Sequence, residues 1–268
     1  MTRTGGGEKL VITLSAGPAR VEIDPQHGGR ISSLCVEGLE LLIGRDRDPL
    51  LWGAYPMAPY AGRIRNGVFS FAGRQHSLPL RAPPHAIHGT TFNRPWREEG
   101  PGELSIDLGP DWPFAGEARQ RFALDPDGLD LELCVLSREV SFPASLGFHP
   151  WFARRLNRGD PLELHFSARE MYSKDESGIA TPLRVPPKQP PWDDCFTALD
   201  SAPQLHWPGA LVLDIQSETD HWVVYDEPTH AICVEPMTGP PDALNIAPRL
   251  VTAEEPLCLK TRFAWRLE

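Results

Sequence analysis

Three segments far apart in the chain carry side chains suited to moving protons. "APPHAIHGTTFNRPW" at 82–96 holds His85 and His88, with Arg94 and Trp96 close behind. "SLGFHPWF" at 145–152 sets His149 among aromatic residues, with Phe148 before it and Trp151 and Phe152 after. "ICVEPMTGPPDALN" at 232–245 ends a short apolar run on Glu235. A carboxylate at the end of a buried strand is costly unless it is partnered or used. His149 on an apolar platform and Glu235 at the end of an apolar run are therefore candidate functional residues. A core histidine with a satisfied hydrogen bond would read the same way at 149. The aromatic residues around it, Trp151 among them, suit a sugar ring, whose C–H face is apolar and whose rim is hydroxylated.

Other residues could bind rather than react. Arg63 and Arg65 in "PMAPYAGRIRNG" offer planar forks of donors to hydroxyl or carboxylate oxygens, although a surface arginine gives the same pattern. Asp193 and Asp194 in "PWDDCF" add carboxylates beside Trp192, in a stretch that also reads as a solvated loop. His85 and His88 are three apart. On a strand or loop they point to opposite faces, so they would not easily share one ion. There is no Gly-rich phosphate loop, GxSxG elbow or HExxH. We therefore expect neither a metal nor another cofactor.

The elements that must position these residues read as strands. "KLVITLS" and "ARVEID" alternate apolar and polar residues. "GVFSFAGRQHSL" reads as a hairpin turning near Ala72, Gly73 and Arg74. "RQRFALDPDGLDLELCVL" reads as a second hairpin. Its "DPDG" turn has Pro126 to pre-set φ and Gly128 able to take positive φ. Leu129, Leu131, Leu133 and Val135 then share one face. Later strands are expected at "PLELHFSA", "ALVLDIQ", "HWVVYDE", "AICVE" and "LKTRFAWRL". "RVPPKQPPWDD" and "EPMTGPPDA" read as Pro-rich loops. No long helix and no repeat is apparent.

The chain has 268 residues, 23 Gly and 29 scattered Pro, a pattern of many turns between short strands. We expect an all-β antiparallel sandwich and one domain over 1–268, with 1–8 a loose terminus. The net charge of −10 argues against nucleic acid as a partner, and no apolar run is long enough for a membrane span. The N-terminus lacks the apolar core of a signal peptide, so a cytoplasmic protein is expected. The five cysteines, with no CxxC pair, are expected to be free thiols, in keeping with a reducing compartment.

Taken together and in this order, "HGGRISSL", "YPMAPYAGRIRNGVFSFAG", "HAIHGTTFNRPW", "LGFHPWF", "WDDCF" and "EPMTGPPDAL" resemble the aldose 1-epimerase (galactose mutarotase-like) family over nearly the whole chain. The resemblance implies a large twisted antiparallel β-sandwich, the galactose mutarotase-like supersandwich, with a monosaccharide on its concave face. It implies His149 as general acid, Glu235 as general base and His88 as a second, substrate-polarising histidine. Arg63 would bind sugar hydroxyls, and Asp193, or Asp194 in its place, would hold ring hydroxyls. The well-known galactose mutarotases carry the acid histidine in an Asn-His-Ser-Tyr-Phe type setting. Here it lies in "GFHPWF", and His88 is followed by Gly89 and Thr90 rather than two glycines. The identity of the aldose is thus left open.

The implied reaction takes a proton from the C1 hydroxyl and gives one to the ring oxygen, with acid and base expected on opposite sides of the ring. Ionised Glu and protonated His predict a bell-shaped pH profile. Three other readings remain: a glycosidase, which usually needs two carboxylates, a carbohydrate-binding protein without catalysis, and an epimerase acting on a hexose 6-phosphate.

Overall fold

The computed structural model describes residues 11–268. The expected loose terminus at 1–8 and the start of "KLVITLS" lie outside them. Two antiparallel sheets dominate. The larger has twelve strands. Its central order is Arg30–Val36, Ala54–Met57, Gly147–Pro150, Ala231–Met237, His221–Tyr225, Asp193–Leu199 and Ala168–Lys174. The smaller has eight, centred on Gly116–Asp125, Gly128–Ser137, Leu257–Leu267 and Leu211–Ser217. Among the described residues the one α-helix is the four-residue Ala243–Ile246. No helix there is long and apolar enough to cross a membrane.

Alternation along the strands builds the sandwich. Val21, Ile23, Leu34, Ile232 and Val234 of the larger sheet pack with Leu129, Leu131, Leu133, Val135, Leu213 and Phe263 of the smaller in one core. Each such side chain contributes roughly 1.5–3 kcal/mol relative to leaving it in water. The larger sheet is apolar on its second face too. Tyr55, Met57, Trp151, Cys195, Val223, Cys233 and Met237 form a separate buried cluster there. A sheet covered on both faces reads as a continuous apolar run, and all seven residues of Ala231–Met237 are buried.

Both expected hairpins form. Ala72 and Gly73 turn Val68–Phe71 into Arg74–Ser77 with φ of 50° and 74°, the two left-handed residues of a type I′ turn. In the second hairpin Asp125 pairs with Gly128, leaving Pro126 and Asp127 as the turn. Gly128 does not take positive φ there. Its missing side chain instead makes room for Arg262, whose guanidinium a Cβ would approach to 2.5 Å. Arg262 donates to Asp125 and Asp130. The "RVPPKQPPWDD" segment is a loop only in its middle, because Arg184 and Val185 end one strand and Asp193 begins the next.

The cysteines depart from expectation. Cys134 and Cys258 form a disulfide, while Cys35, Cys195 and Cys233 are free. Gly128–Ser137 and Leu257–Leu267 are neighbours, and their register sets Cys134 directly opposite Cys258. The pair is 124 residues apart in the chain, so only strand pairing reveals it. The cysteine content therefore no longer argues for a reducing compartment.

Candidate active site

A cavity of about 280 Å³ opens on the second face of the larger sheet. His88, His149, Trp151, Arg63, Asp193 and Glu235 all line it. Antiparallel register brings the central two together. Gly147 lies opposite Met237 and Phe152 opposite Ile232. Continuing the same register sets His149 opposite Glu235 and Trp151 opposite Cys233. Side chains at directly opposed positions meet on one face, and His149 Nε2 lies 3.3 Å from Glu235 Oε1. Acid and base candidates are thus side by side rather than facing each other across a ring. Glu235 also lies within its strand, not at its end, with Val223 of His221–Tyr225 on its other flank.

The imidazole is held by aromatic rings. Tyr55 is the register partner of His149 and stacks on it at 4.7 Å. Trp151, just past the end of the His149 strand, stacks from 5.5 Å and also stacks on His230. The expected sugar platform therefore already serves to orient His149. Beneath Tyr55, Arg30 is fully buried, its guanidinium 5.1 Å from the Tyr55 ring and 4.1 Å from Trp52. It donates to the carbonyls of His27, Trp52 and Phe92, and burial lowers its pKa to about 10.

His88 comes from a strained turn. Its φ is 57°, left-handed and unusual for histidine, and its N–H donates to Gly62. Gly89 follows at φ 83°, where a Cβ would sit 2.0 Å from the Ala58 carbonyl oxygen. Glycine is required there, and the turn aims the His88 ring edge-on at His149, with centroids 5.0 Å apart. The Nδ1 atoms of His88 and His149 are buried without a protein partner.

Charged groups line the cavity in compensated sets. Arg63 Nη1 lies 3.4 Å from Asp193, and Lys174 Nζ lies 3.6 Å from the same carboxylate. Asp194 is buried and held by Lys174 and Lys188. Asp193 is the more exposed of the two acids and the one that reaches Arg63. Arg65 pairs with Asp175 and Asp242 and does not line the cavity. Arg94 donates to the carbonyls of Asp107 and Leu108, and His85 Nδ1 accepts from the Asn66 N–H. Sequence reasoning missed Lys174, Tyr172, Tyr55, Tyr225 and Cys195 on the lining, and Arg30 and Cys233, which are buried off it. Lys174 and Tyr172 are two apart on one strand, a spacing that signals a shared face but not which face.

Burial sets the electrostatics. It pushes Glu235 well above the usual carboxyl range, the Asp193 carboxylate adding to the shift and Arg63 opposing it. It pushes His149 down to about 3, with Arg30 and Arg63 acting in the same direction. His88 is driven well below the usual imidazole value, first by burial and then by His149 and Arg63. Both shifts favour the neutral forms, a protonated Glu235 beside an unprotonated His149 Nε2, against the ionised Glu and protonated His expected from sequence.

Similarity to known proteins agrees with this architecture. Over 97% of this chain and 99% of its own, a candidate aldose 1-epimerase of Escherichia coli K12 superposes with a TM-score of 0.83 at 16% identity. A galactose mutarotase-like protein of Clostridium acetobutylicum superposes at 0.81 over 96% of this chain and 95% of its own, again at 16% identity. Galactose 1-epimerase of Lactobacillus acidophilus gives 0.78 at 17% identity, over 95% and 93%. The uncharacterized protein YihR of Escherichia coli K12 is 25% identical over 184 residues. That match spans 64% of this chain and 59% of YihR. The sequence profile of the aldose 1-epimerase family matches residues 11–254, and the chain belongs to that family.

Proposed function

We propose that this protein is an aldose 1-epimerase that interconverts the α and β anomers of a free, neutral aldose. The observation that carries the reading is the buried His149–Glu235 contact at 3.3 Å on the lining of a cavity of monosaccharide size. The ring oxygen and the C1 hydroxyl oxygen share carbon C1, so a side-by-side acid and base can address both.

In ring opening, the partner without a proton takes one from the C1 hydroxyl while the other gives its proton to the ring oxygen. The C1 carbonyl turns, and closure reverses both transfers. The pair holds one proton throughout. His149 protonated with Glu235 ionised, and His149 neutral with Glu235 protonated, are the two states that each turnover visits. Burial decides only which is at rest. The general acid and general base roles implied for His149 and Glu235 then describe one of the two directions of travel. Neutral His88, edge-on to His149, polarises the C1 oxygen. Arg63 and Asp193 bind ring hydroxyls.

The charge arrangement favours a neutral sugar. A phosphate dianion needs fixed positive charge. Arg63 and Lys174 share the Asp193 carboxylate, the further carboxylates Asp194 and Glu227 line the same cavity, and Arg65 and Arg94 are engaged elsewhere. The test is the anomerisation rate of freshly dissolved galactose, glucose and arabinose against glucose 6-phosphate, corrected for the spontaneous rate. Acceleration of at least one neutral aldose, reduced roughly 10²- to 10⁴-fold by Glu235→Gln or His149→Ala, is expected. Wild-type activity that survives both substitutions would overturn the assignment. A higher kcat/KM for the phosphorylated sugar would overturn the substrate class alone.

A further inference from the structure

Cys233 has no task in proton transfer, yet it lies two residues before Glu235 on the same face of its strand, diagonal to His149. The ligating atoms of His149, Cys233 and Glu235 all lie within 4.8 Å of one another. All three residues are at least nine-tenths buried. In a tetrahedral zinc site with bonds of about 2.0–2.3 Å, neighbouring ligand atoms are roughly 3.3–3.8 Å apart. The His149–Glu235 contact at 3.3 Å already has that spacing.

We propose that these three side chains bind a thiophilic divalent cation of the zinc class, and that the ion competes with the sugar. Imidazole, thiolate and carboxylate together favour zinc-like ions over magnesium or calcium. On binding, the Cys233 thiol proton and the one proton of the His149–Glu235 pair leave to solvent. The thiolate and carboxylate then balance the two positive charges, as a buried ion requires. His149 and Glu235 line the cavity, and Cys233 is buried beside them. Metal-bound histidines usually donate their second N–H to an outer partner. His149 Nδ1 has none, which marks an exchangeable inhibitory ion rather than a resident one. The ion occupies the atoms that would carry the sugar's protons, so it is no cofactor of that reaction.

Two other clusters lie on the smaller sheet: Glu163, His165 and His206 contain no sulfur, and Glu132 with Cys134 and Cys258 has both sulfurs tied in the disulfide, so the titration is run without reductant. That difference makes the test specific. The full chain, stripped with a chelator, is titrated with Co²⁺. The expected result is one ion showing tetrahedral d–d absorption with a thiolate-to-metal band, displaced by Zn²⁺. Cys233→Ser should abolish the band and weaken that ion's binding at least about tenfold, with an unchanged circular dichroism spectrum. His165→Ala with His206→Ala should leave the band in place. A wild-type protein with no thiolate band overturns the proposal without any variant, as does a band that persists in Cys233→Ser. In anomerisation assays Zn²⁺ should raise KM for the sugar, and inhibition that sugar does not relieve refutes the competition. If no sugar is anomerised, the spectra still decide on the metal site and the failure falls on the proposed reaction alone.

Discussion

Replacing Glu235 by Gln removes one proton site from the buried pair with little change in shape. Between the ordinary carboxyl range and the raised value of Glu235, the native chain holds a proton that the unfolded chain has released. Wild-type stability therefore falls as pH rises through that window, by about 3 kcal/mol for every two pH units. The variant has no such proton and lacks this slope. Burial keeps His149 neutral in both proteins, and its titration in the unfolded chain is common to both, so it cancels. Variant stability minus wild-type stability should climb above the ordinary carboxyl range by about 1.4 kcal/mol per pH unit. It should level off where Glu235 ionises. Guanidinium unfolding at closely spaced pH values measures the difference directly. The slope counts protons on the pair, whichever atom holds them, and that count is what the proposed mechanism needs. A flat difference would mean that the native pair carries no more protons than the variant, and the one-proton pair would be refuted.

The same count makes the anomerisation rate flat through mildly acidic pH. The acid limb should fall near pH 3, where His149 takes a second proton, and the basic limb where Glu235 loses the last one. A narrow bell with limbs near about 4.3 and 6.5, the ordinary Glu and His values, would contradict it. Gly89→Ala should destabilise the fold by more than about 3 kcal/mol in the same unfolding assay, because its Cβ meets the Ala58 carbonyl at 2.0 Å and φ is 83°. Wild-type stability for that variant would show that the His88 turn can relax. Arg30→Met strands three carbonyl acceptors and removes the cation under Tyr55. A loss of about 3 kcal/mol or more is expected, measured by denaturant unfolding, and a neutral result would mean those carbonyls find other partners.

Much of the architecture was legible in the sequence because it depends on local rules. Period-two alternation in "GLDLELCVL" marks Leu129, Leu131, Leu133 and Val135 as one buried face, and they are. The Ala72–Gly73 turn shows in its own residues. Gly128 was harder. Its reason is not a turn angle but the Arg262 guanidinium, delivered by a strand more than a hundred residues away.

The sequence by itself determined which residue types were available: two histidines, an arginine, a tryptophan and two acids in segments that share no local signal. Only strand pairing decided that His149 meets Glu235, that Trp151 stacks on the histidine, and that Cys233 stands beside them. The same pairing joined Cys134 to Cys258 against expectation. Protonation likewise waited on the tertiary structure. Ordinary values allow a charged His149 and a charged Glu235 together only between about pH 4.3 and 6.5. Desolvation shifts both toward the neutral form, and burial depends on which strands cover a side chain from both flanks and both faces, information that no window of neighbouring residues contains.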